Sequence, residues 1–213
     1  VPVRHASTFF RFNLPGSFCP MAKSTRLLKS FYKLLFPIVL LLLVAAGGAS
    51  VYLTYESSHP VRSAYLVTPD RYGWLSARGA QVTDETWTNR DGTSARGWLL
   101  RGSQDAPAVI LLHKYGADRS HVLNLGVKLN EATNFTVLMP DQRGHGPNPA
   151  VPYTSFGGCE STDTTAAIAF LHGLKNESQA AIVGKDIGIY GLEMGSLAAL
   201  NAAANDKDSA KFT

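Results

Sequence analysis

The sequence has 213 residues, 45% hydrophobic and 17% charged, which suffices for one domain of ordinary size plus an additional segment. The formal net charge of +4 is unevenly placed, because residues 1–33 carry six Lys or Arg and no acid, so residues 34–213 sum to −2. A net charge of this sign excludes the strongly basic surface that is typical of nucleic-acid-binding proteins, and we expect no nucleic-acid partner.

Residues 1–33 form a basic N-terminal tail. The segment beginning at Met21 is typical of a natural start, so we interpret residues 1–20 as an upstream extension or a fragment edge. The two cysteines, Cys19 and Cys159, fit no metal-binding or nucleophile motif. We therefore expect no metal and no cofactor.

Residues 34–55 contain no charged side chain and predict a transmembrane helix, since 22 residues span roughly 33 Å at about 1.5 Å per residue. Pro37 is expected in its first turn. The preceding Lys and Arg residues predict a cytoplasmic N-terminus and an extracytoplasmic domain, periplasmic or lumenal. The alternative is a cleaved signal peptide, with a small-residue cleavage site at Gly47–Ala49. The longer apolar stretch favours the uncleaved, single-pass anchor.

Residues 56–81 are a polar linker with several Pro and Gly residues, and residues 82–213 have the alternating pattern of an α/β domain. The Asp91-Gly92 pair predicts a hairpin between the first two strands. Asp118 or Ser120 is expected to cap the first helix of this domain, and Ser161 or Thr162 is expected to begin the second. The predicted strands and helices follow in this order: strands Val82–Thr88, Ala95–Arg101 and Ala108–Leu112, a helix, strand Thr136–Met139, a helix, strand Ile187–Tyr190 and helix Ser196–Ala204.

This order predicts a mostly parallel sheet with helices on both faces. Ligands of such sheets bind beyond the carboxyl ends of the strands. His113, Asp141 and Glu193 each follow a predicted strand end, so we expect them along one rim of the sheet. His145 lies in the loop after Asp141 and belongs to the same candidate rim.

Three segments together resemble the α/β-hydrolase superfamily. Residues 111–116 are similar to its oxyanion loop, residues 141–146 to its Asp-x-Arg-Gly-His-Gly loop, and residues 191–195 to its Gly-x-Ser-x-Gly nucleophile elbow. The resemblance implies an α/β-hydrolase-like sheet and cleavage of esters, amides or short peptides. It also implies an oxyanion hole formed by the backbone N–H groups of Tyr115 and Met194.

Glu193 occupies the position of the nucleophilic serine. A carboxylate attacking an acyl carbon would form an anhydride, and its charge would oppose a neighbouring oxyanion. Carboxylate nucleophiles of this superfamily instead displace a leaving group from an alkyl carbon, as in carbon–halogen or epoxide chemistry. Ser196 lies a helical turn away and is a poor substitute. His113, Asp141, Arg143 and His145 have an alternative role in bracing their own loops.

Two functions remain open at this point. One is a membrane-anchored hydrolase of a small-molecule or peptide substrate, and the other is a non-catalytic binding or scaffold protein on the same fold. The residues up to Thr213 match only the N-terminal portion of a hydrolase domain, with Ala210–Thr213 approaching a sixth strand. We therefore expect an incomplete sheet, with the triad acid and histidine beyond Thr213, and we expect residues 57–213 alone to be partly folded.

Overall fold

The computed structural model of the protein describes residues 24–62, 64–72 and 76–205. The chain divides into two compact units, one ending at Ser50 and the other beginning at Val51. The tail before Ser24 and the expected approach to a sixth strand at residues 210–213 lie outside the described residues.

The first described element is helix α1, Ser24–Ser58, which has 35 residues. It extends beyond the predicted span at both ends, because polar residues that a bilayer core would reject can still continue the helical backbone. Pro37 consequently lies inside the helix and not in its first turn, which corrects the sequence-based expectation. The 30-residue stretch Lys29–Ser58 contains an 18-residue segment of mean hydropathy 2.5 and is long and apolar enough to cross a membrane, although a signal sequence passes the same test.

The second unit contains a five-stranded sheet with helices around it. Its short first helix is α2, Pro69–Tyr72. The strands are β1 (Val82–Thr88), β2 (Ser94–Leu100), β3 (Ala106–Leu112), β4 (Thr136–Pro140) and β5 (Val183–Gly191). The longer helices are α3 (Ser120–Thr133), α4 (Cys159–Gly173) and α5 (Met194–Asn205).

The strand order is β1-β2-β4-β3-β5. Strand β2 pairs antiparallel with both β1 and β4, whereas β3 pairs parallel with both β4 and β5. The predicted hairpin is confirmed, with Thr88 opposite Ser94 across the turn that contains Gly92. The sheet is mixed, and its parallel part brings the carboxyl ends of β3, β4 and β5 to one edge, as the sequence predicted.

Apolar side chains cover both faces of this sheet, which is why β3 and β4 consist almost entirely of aliphatic residues. One core cluster includes Leu99, Ile110 and Leu138 together with residues of α4 and α5. The other cluster includes Trp98 and Leu111 together with residues of α3. The strands that carry the candidate site are thus held rigidly from both sides.

The helix starts differ in part from the predictions. The residue before α3 is Arg119, which makes no side-chain capping hydrogen bond, whereas Asp118, one of the two expected caps, accepts a hydrogen bond from the backbone N–H of Ser120, the first helical residue, at 2.8 Å. Helix α4 begins at Cys159 and not at Ser161 or Thr162. The reason is a polar cluster farther upstream, where Ser155 Oγ accepts a hydrogen bond from the Cys159 N–H at 2.6 Å.

Candidate active site

The turn from β5 to α5 is the segment in which the sequence predicts a nucleophile elbow, and it is tight. Glu193 lies between the strand and the helix with φ at 49°, a left-handed conformation that is uncommon outside glycine. Its side chain is exposed, while Met194 and Gly195 after it are buried. The Glu193 carbonyl accepts the first helical bonds, from the Ser196 N–H at 3.0 Å and the Leu197 N–H at 3.2 Å. The turn therefore holds residue 193 at the tip.

The two elbow glycines are required by close packing. A Cβ on Gly191 would lie 2.3 Å from the Gly195 carbonyl oxygen, and a Cβ on Gly195 would lie 2.7 Å from the Leu112 carbonyl oxygen and 2.8 Å from that of His113. The Leu192 N–H donates to the Leu112 carbonyl at 3.0 Å, which fixes the elbow against the end of β3. The elbow and the loop after β3 are therefore one packed unit.

The loop after β3 contains the first expected oxyanion donor, Tyr115. Among the described residues, the backbone N–H groups of Tyr115 and Met194 donate no hydrogen bond. Both groups are thus free for an acceptor on a ligand, which is the property that an oxyanion hole needs. The Tyr115 ring stacks on Phe156 with centroids 5.2 Å apart, and its hydroxyl donates to the Ser57 carbonyl at 2.8 Å.

His113 and His145 meet beside this loop, with ring centroids 5.1 Å apart. His113 is fully buried; its Nε2 accepts the Gln142 N–H at 3.1 Å and its Nδ1 contacts the Lys114 carbonyl at 2.8 Å. Burial lowers the pKa of His113 to about 3. His145 follows the same pattern: Nε2 accepts the Gly116 N–H at 3.0 Å, and Nδ1 contacts the Arg143 carbonyl at 2.7 Å.

These bonds assign each imidazole a neutral tautomer that donates from Nδ1 and accepts at Nε2. Burial also lowers the pKa of His145. Both histidines connect the loop after β3 to the loop after β4 through backbone groups. Their ring nitrogens are occupied, so in this arrangement they brace the candidate site and do not present a base to it.

Asp141 is buried at the end of β4 but belongs to a different cluster. Its carboxylate accepts hydrogen bonds from the Tyr65 hydroxyl at 2.6 Å and from the Arg119 N–H at 3.0 Å. The Arg119 and Arg96 side chains lie 3.4 and 3.6 Å from it. Burial raises the pKa of Asp141, against the opposing effect of Arg119. Among the groups at the strand ends, Asp141 therefore acts as the counter-charge of an interior cluster.

Arg119 and Tyr65 are the central residues of that cluster, and the sequence analysis did not identify either of them. Arg119 lies over the rings of Tyr65 and Trp98, at 4.8 and 4.5 Å, and pairs with Asp84 at 2.8 Å. Burial, together with the neighbouring Asp141, raises the pKa of Tyr65 to about 12. The partners of Arg119 are 21 to 54 positions away in the chain, so no local motif could have revealed them.

A second polar cluster lies beneath the elbow and was also missed. The buried carboxylate of Glu160 accepts four hydrogen bonds, from the hydroxyls of Thr154 and Ser155 and from the N–H groups of Ser155 and Gly157. Burial favours the neutral acid, yet these bonds lower the pKa of Glu160. Thr154 also contacts the Met194 sulfur at 3.2 Å, so the cluster supports the residue next to the candidate nucleophile.

Arg143, expected to shape its own loop, binds distant carboxylates. Its guanidinium donates to Asp163 on α4 at 2.5 and 2.7 Å and to Asp91 in the hairpin turn at 2.6 Å. These partners raise its pKa. Arg143 therefore ties the loop after β4 to α4 and to the hairpin.

A cavity of about 310 Å³ lies behind the candidate site and not at its tip. Its walls include Trp87, Leu112, Gln142, His145 and Glu160, and Glu193 is not among its lining residues. Within the ranges 24–62, 64–72 and 76–205, no group of three His, Cys, Asp or Glu side chains is placed to hold a metal ion.

Comparison with known proteins identifies the architecture. The chain is 28% identical over 118 residues to a thiohydrolase of Eupenicillium brefeldianum and 28% identical over 135 residues to the polyketide transferase GrgF of a Penicillium species. These matches cover 55% and 62% of this chain. No family model matches the chain.

Solved structures agree with these relatives. An esterase of Pyrococcus furiosus superposes with a TM-score of 0.57 at 26% identity, over 71% of this chain and 53% of that one. GrgF superposes with a TM-score of 0.51 at 27% identity, over 60% of this chain and 43% of that one. The second unit therefore has an α/β-hydrolase-like fold, as the esterase and GrgF structures do. The chain spans 37% and 44% of the lengths of the two curated relatives.

Proposed function

We propose that the protein is a membrane-anchored hydrolase in which Glu193 occupies the reactive position. The observation that carries this proposal is the intact elbow: Glu193 keeps the strained φ of 49° at an exposed tip, with the free N–H of Met194 beside it. Backbone strain of this kind costs about 1–3 kcal/mol and is characteristic of functional sites. The strained backbone and the exposed carboxylate support a reactive role for Glu193.

Two classes of substrate are consistent with this site. The thiohydrolase and esterase relatives favour acyl compounds, namely thioesters, esters, amides or short peptides, held by the N–H groups of Tyr115 and Met194. The carboxylate of Glu193 favours an alkyl electrophile instead. There Glu193 displaces a leaving group from carbon to form a glutamyl ester, and water then cleaves that ester to release an alcohol and regenerate the carboxylate.

A panel of substrates tested on three forms of the protein separates these classes. We would assay a short thioester, a p-nitrophenyl ester, an aryl epoxide and a haloalkane with the native chain, with Glu193→Gln and with Glu193→Ser. Turnover that disappears in Glu193→Gln supports catalysis by Glu193. The compound that is turned over then shows whether the substrate is an acyl compound or an alkyl electrophile. During repeated alkyl turnovers in ¹⁸O-water, label should enter the Glu193 carboxylate and be detected by peptide mass spectrometry.

A second candidate, a non-catalytic binding protein on this fold, is favoured by one specific observation. His113 and His145, the histidines beside the elbow, use both ring nitrogens in loop contacts. Neither of these two histidines is therefore available as the base that hydrolysis usually needs. Saturable ligand binding by the native chain, with no turnover of any panel member, would establish this candidate and exclude the hydrolase.

The anchor is the remaining part of the proposal. Helix α1 supports it by length and composition, and the Lys and Arg residues before the span support a cytoplasmic N-terminus with the domain on the opposite side. We expect the protein to stay in the membrane pellet after an alkaline carbonate wash. A soluble product beginning near Ser50 would establish the cleaved signal peptide instead.

A further inference from the structure

The last turn of α1 and the residues after it contact the loops of the candidate site. The Tyr115 hydroxyl donates to the Ser57 carbonyl at 2.8 Å, and the Thr154 N–H donates to the Ser58 carbonyl at 2.9 Å. Pro60 is buried, and a Cβ on Gly144 would lie 3.2 Å from its ring. The point where the chain leaves its apolar helix is therefore fixed directly to the loops after β3 and β4.

Large apolar side chains are exposed on the same side of the second unit. We call Tyr153, Phe156 and Leu197 the apolar rim; they are 49%, 43% and 50% exposed. The rim is continuous with the candidate site, because Phe156 stacks on Tyr115 and a Cβ on Gly157 would lie 2.8 Å from Leu197. Leu197 lies one helical turn after Glu193.

The rim is also adjacent to the helix end. The rings of Tyr153 and His59 lie 6.3 Å apart, and His59 stacks on Tyr55 at 4.1 Å. Phe156 has φ at 53°, so its backbone is strained in a conformation that keeps the ring beside Tyr115 and partly in solvent. Exposed apolar side chains that lie next to one another are typical of surfaces that contact a protein or a membrane.

We propose that the apolar rim docks on the bilayer that α1 enters, so that the candidate site opens at the membrane surface. This inference rests on the proposed membrane anchor, and it does not depend on catalysis by Glu193. A bilayer is the occupant that the contacts favour, because Ser57 and Ser58, the final residues of the apolar stretch, are bonded to the loops that carry the rim. Tyrosine and phenylalanine are also typical of membrane interfaces.

The docked rim has a consequence for ligands. The Tyr115 hydroxyl contacts Ser57 at the end of α1, and the backbone N–H of the same residue donates no hydrogen bond within the described residues, so it is free for a ligand oxygen. A molecule dissolved in the outer part of the bilayer, with an apolar chain and a polar reactive group, would reach this N–H without crossing open water. The ligands that fit this arrangement are therefore amphipathic.

The test measures contact between individual positions and lipid. The full chain would be reconstituted in phosphatidylcholine vesicles, with and without acyl chains brominated near the headgroup, in two tryptophan variants. Phe156→Trp places the probe on the rim. The matched control is Glu177→Trp, a position that is also exposed and that precedes β5. Strand β5 has nine residues, so at about 3.3 Å per residue its length places roughly 30 Å between its first residue and the turn at Glu193.

We expect brominated lipid to quench the added emission of Phe156→Trp at least twofold, compared with the native chain, and to leave that of Glu177→Trp unchanged. Equal quenching of the two variants, or none of Phe156→Trp in a protein that remains with the vesicles, would overturn the docking proposal. Loss of the protein from the vesicles would also overturn it, because the anchor would then be absent. Failure of every hydrolysis assay would not alter the quenching, so the two proposals fail separately.

Discussion

Arg119 and Asp141 form an ion pair in the interior of the second unit, with Nε and the carboxylate oxygen 3.4 Å apart and side chains 1% and 7% exposed. Asp141 directly follows β4 and is the first residue of the Asp-x-Arg-Gly-His-Gly loop. Its partners come from three other segments: Arg96 on β2, Tyr65 before the sheet, and Arg119 immediately before α3. Asp141 therefore joins three segments of the fold.

The first prediction follows from this pair. Asp141→Asn removes the main buried counter-charge of Arg119, and we expect it to lower the free energy of unfolding by about 3–5 kcal/mol. Asp84→Asn is the matched control, because Asp84 also contacts Arg119 but its side chain is 60% exposed. We expect the control to cost under about 1 kcal/mol. Urea unfolding followed by near-ultraviolet circular dichroism would measure both; similar losses would contradict the assignment.

The second prediction concerns the elbow glycines. Gly195→Ala should destabilise the protein by about 1–3 kcal/mol, because its Cβ would overlap the carbonyl oxygens of Leu112 and His113. Gly188→Ala, on the same segment of chain, places its Cβ no closer than 3.8 Å to any atom and should have little effect. Thermal unfolding of the two variants provides the comparison, and a Gly195→Ala protein as stable as Gly188→Ala would show that the elbow is more open.

The third prediction is a pH dependence of stability. The pKa of His113 is about 3 in the folded protein and near 6.5 when unfolded, so the unfolded chain binds a proton that the folded chain excludes. The contribution of His113 to the free energy of unfolding is therefore fully present above pH 6.5, and it decreases as the pH falls from 6.5 toward 3. Between pH 7.5 and pH 5 the loss should be about 2 kcal/mol from this residue, and His145 acts in the same direction.

Carboxylates with ordinary pKa values remain largely ionised across that interval, and comparison with a variant that lacks the His113 ring isolates the contribution of this histidine. His113→Asn should be less stable than the native chain at pH 7.5 but should lose much less stability between pH 7.5 and pH 5. Chemical denaturation at both pH values measures this difference. An unchanged pH slope in His113→Asn would mean that His113 is not buried as a neutral ring.

The fourth prediction addresses serine chemistry. Ser196 donates from Oγ to the Gly191 carbonyl at 2.6 Å and lies inside α5, so its hydroxyl is committed to the backbone. A fluorophosphonate probe should therefore not label the native chain, whereas Glu193→Ser places a hydroxyl at the tip and is the variant to compare. Labelling of the native chain that disappears in Ser196→Ala would contradict our assignment of Glu193.

Much of the architecture could be predicted because it depends on local patterns. The strands of aliphatic residues, the hairpin at Gly92 and the strand ends at His113, Asp141 and Glu193 all follow from periodicity and turn residues. Helix α4 begins two or three residues before the predicted start at Ser161 or Thr162, because Ser155 and the carboxylate of Glu160 stabilise the preceding loop from positions that no capping pattern covers.

The contacts that support the site were less accessible to sequence reasoning. The stacking of Arg119 between two aromatic rings and the contact of Tyr115 with Ser57 join residues far apart in the chain. Such pairs depend on how the elements pack, and a single sequence records no trace of that packing. The neutral state of the two histidines likewise follows only from their burial and bonding partners in three dimensions.

In the turn between β5 and α5, the residues that determine the packing differ from the residue at the candidate reactive position. Gly191 and Gly195 meet the packing demands of the turn, while within the described chain the side chain of Glu193 makes no hydrogen bond or ion pair. Substitution at residue 193 should therefore alter reactivity while leaving the unfolding transition nearly unchanged. One scaffold of this kind can exchange a hydroxyl for a carboxylate, or for an inert group, without acquiring compensating changes elsewhere, and its relatives can diverge in reaction while remaining alike in shape.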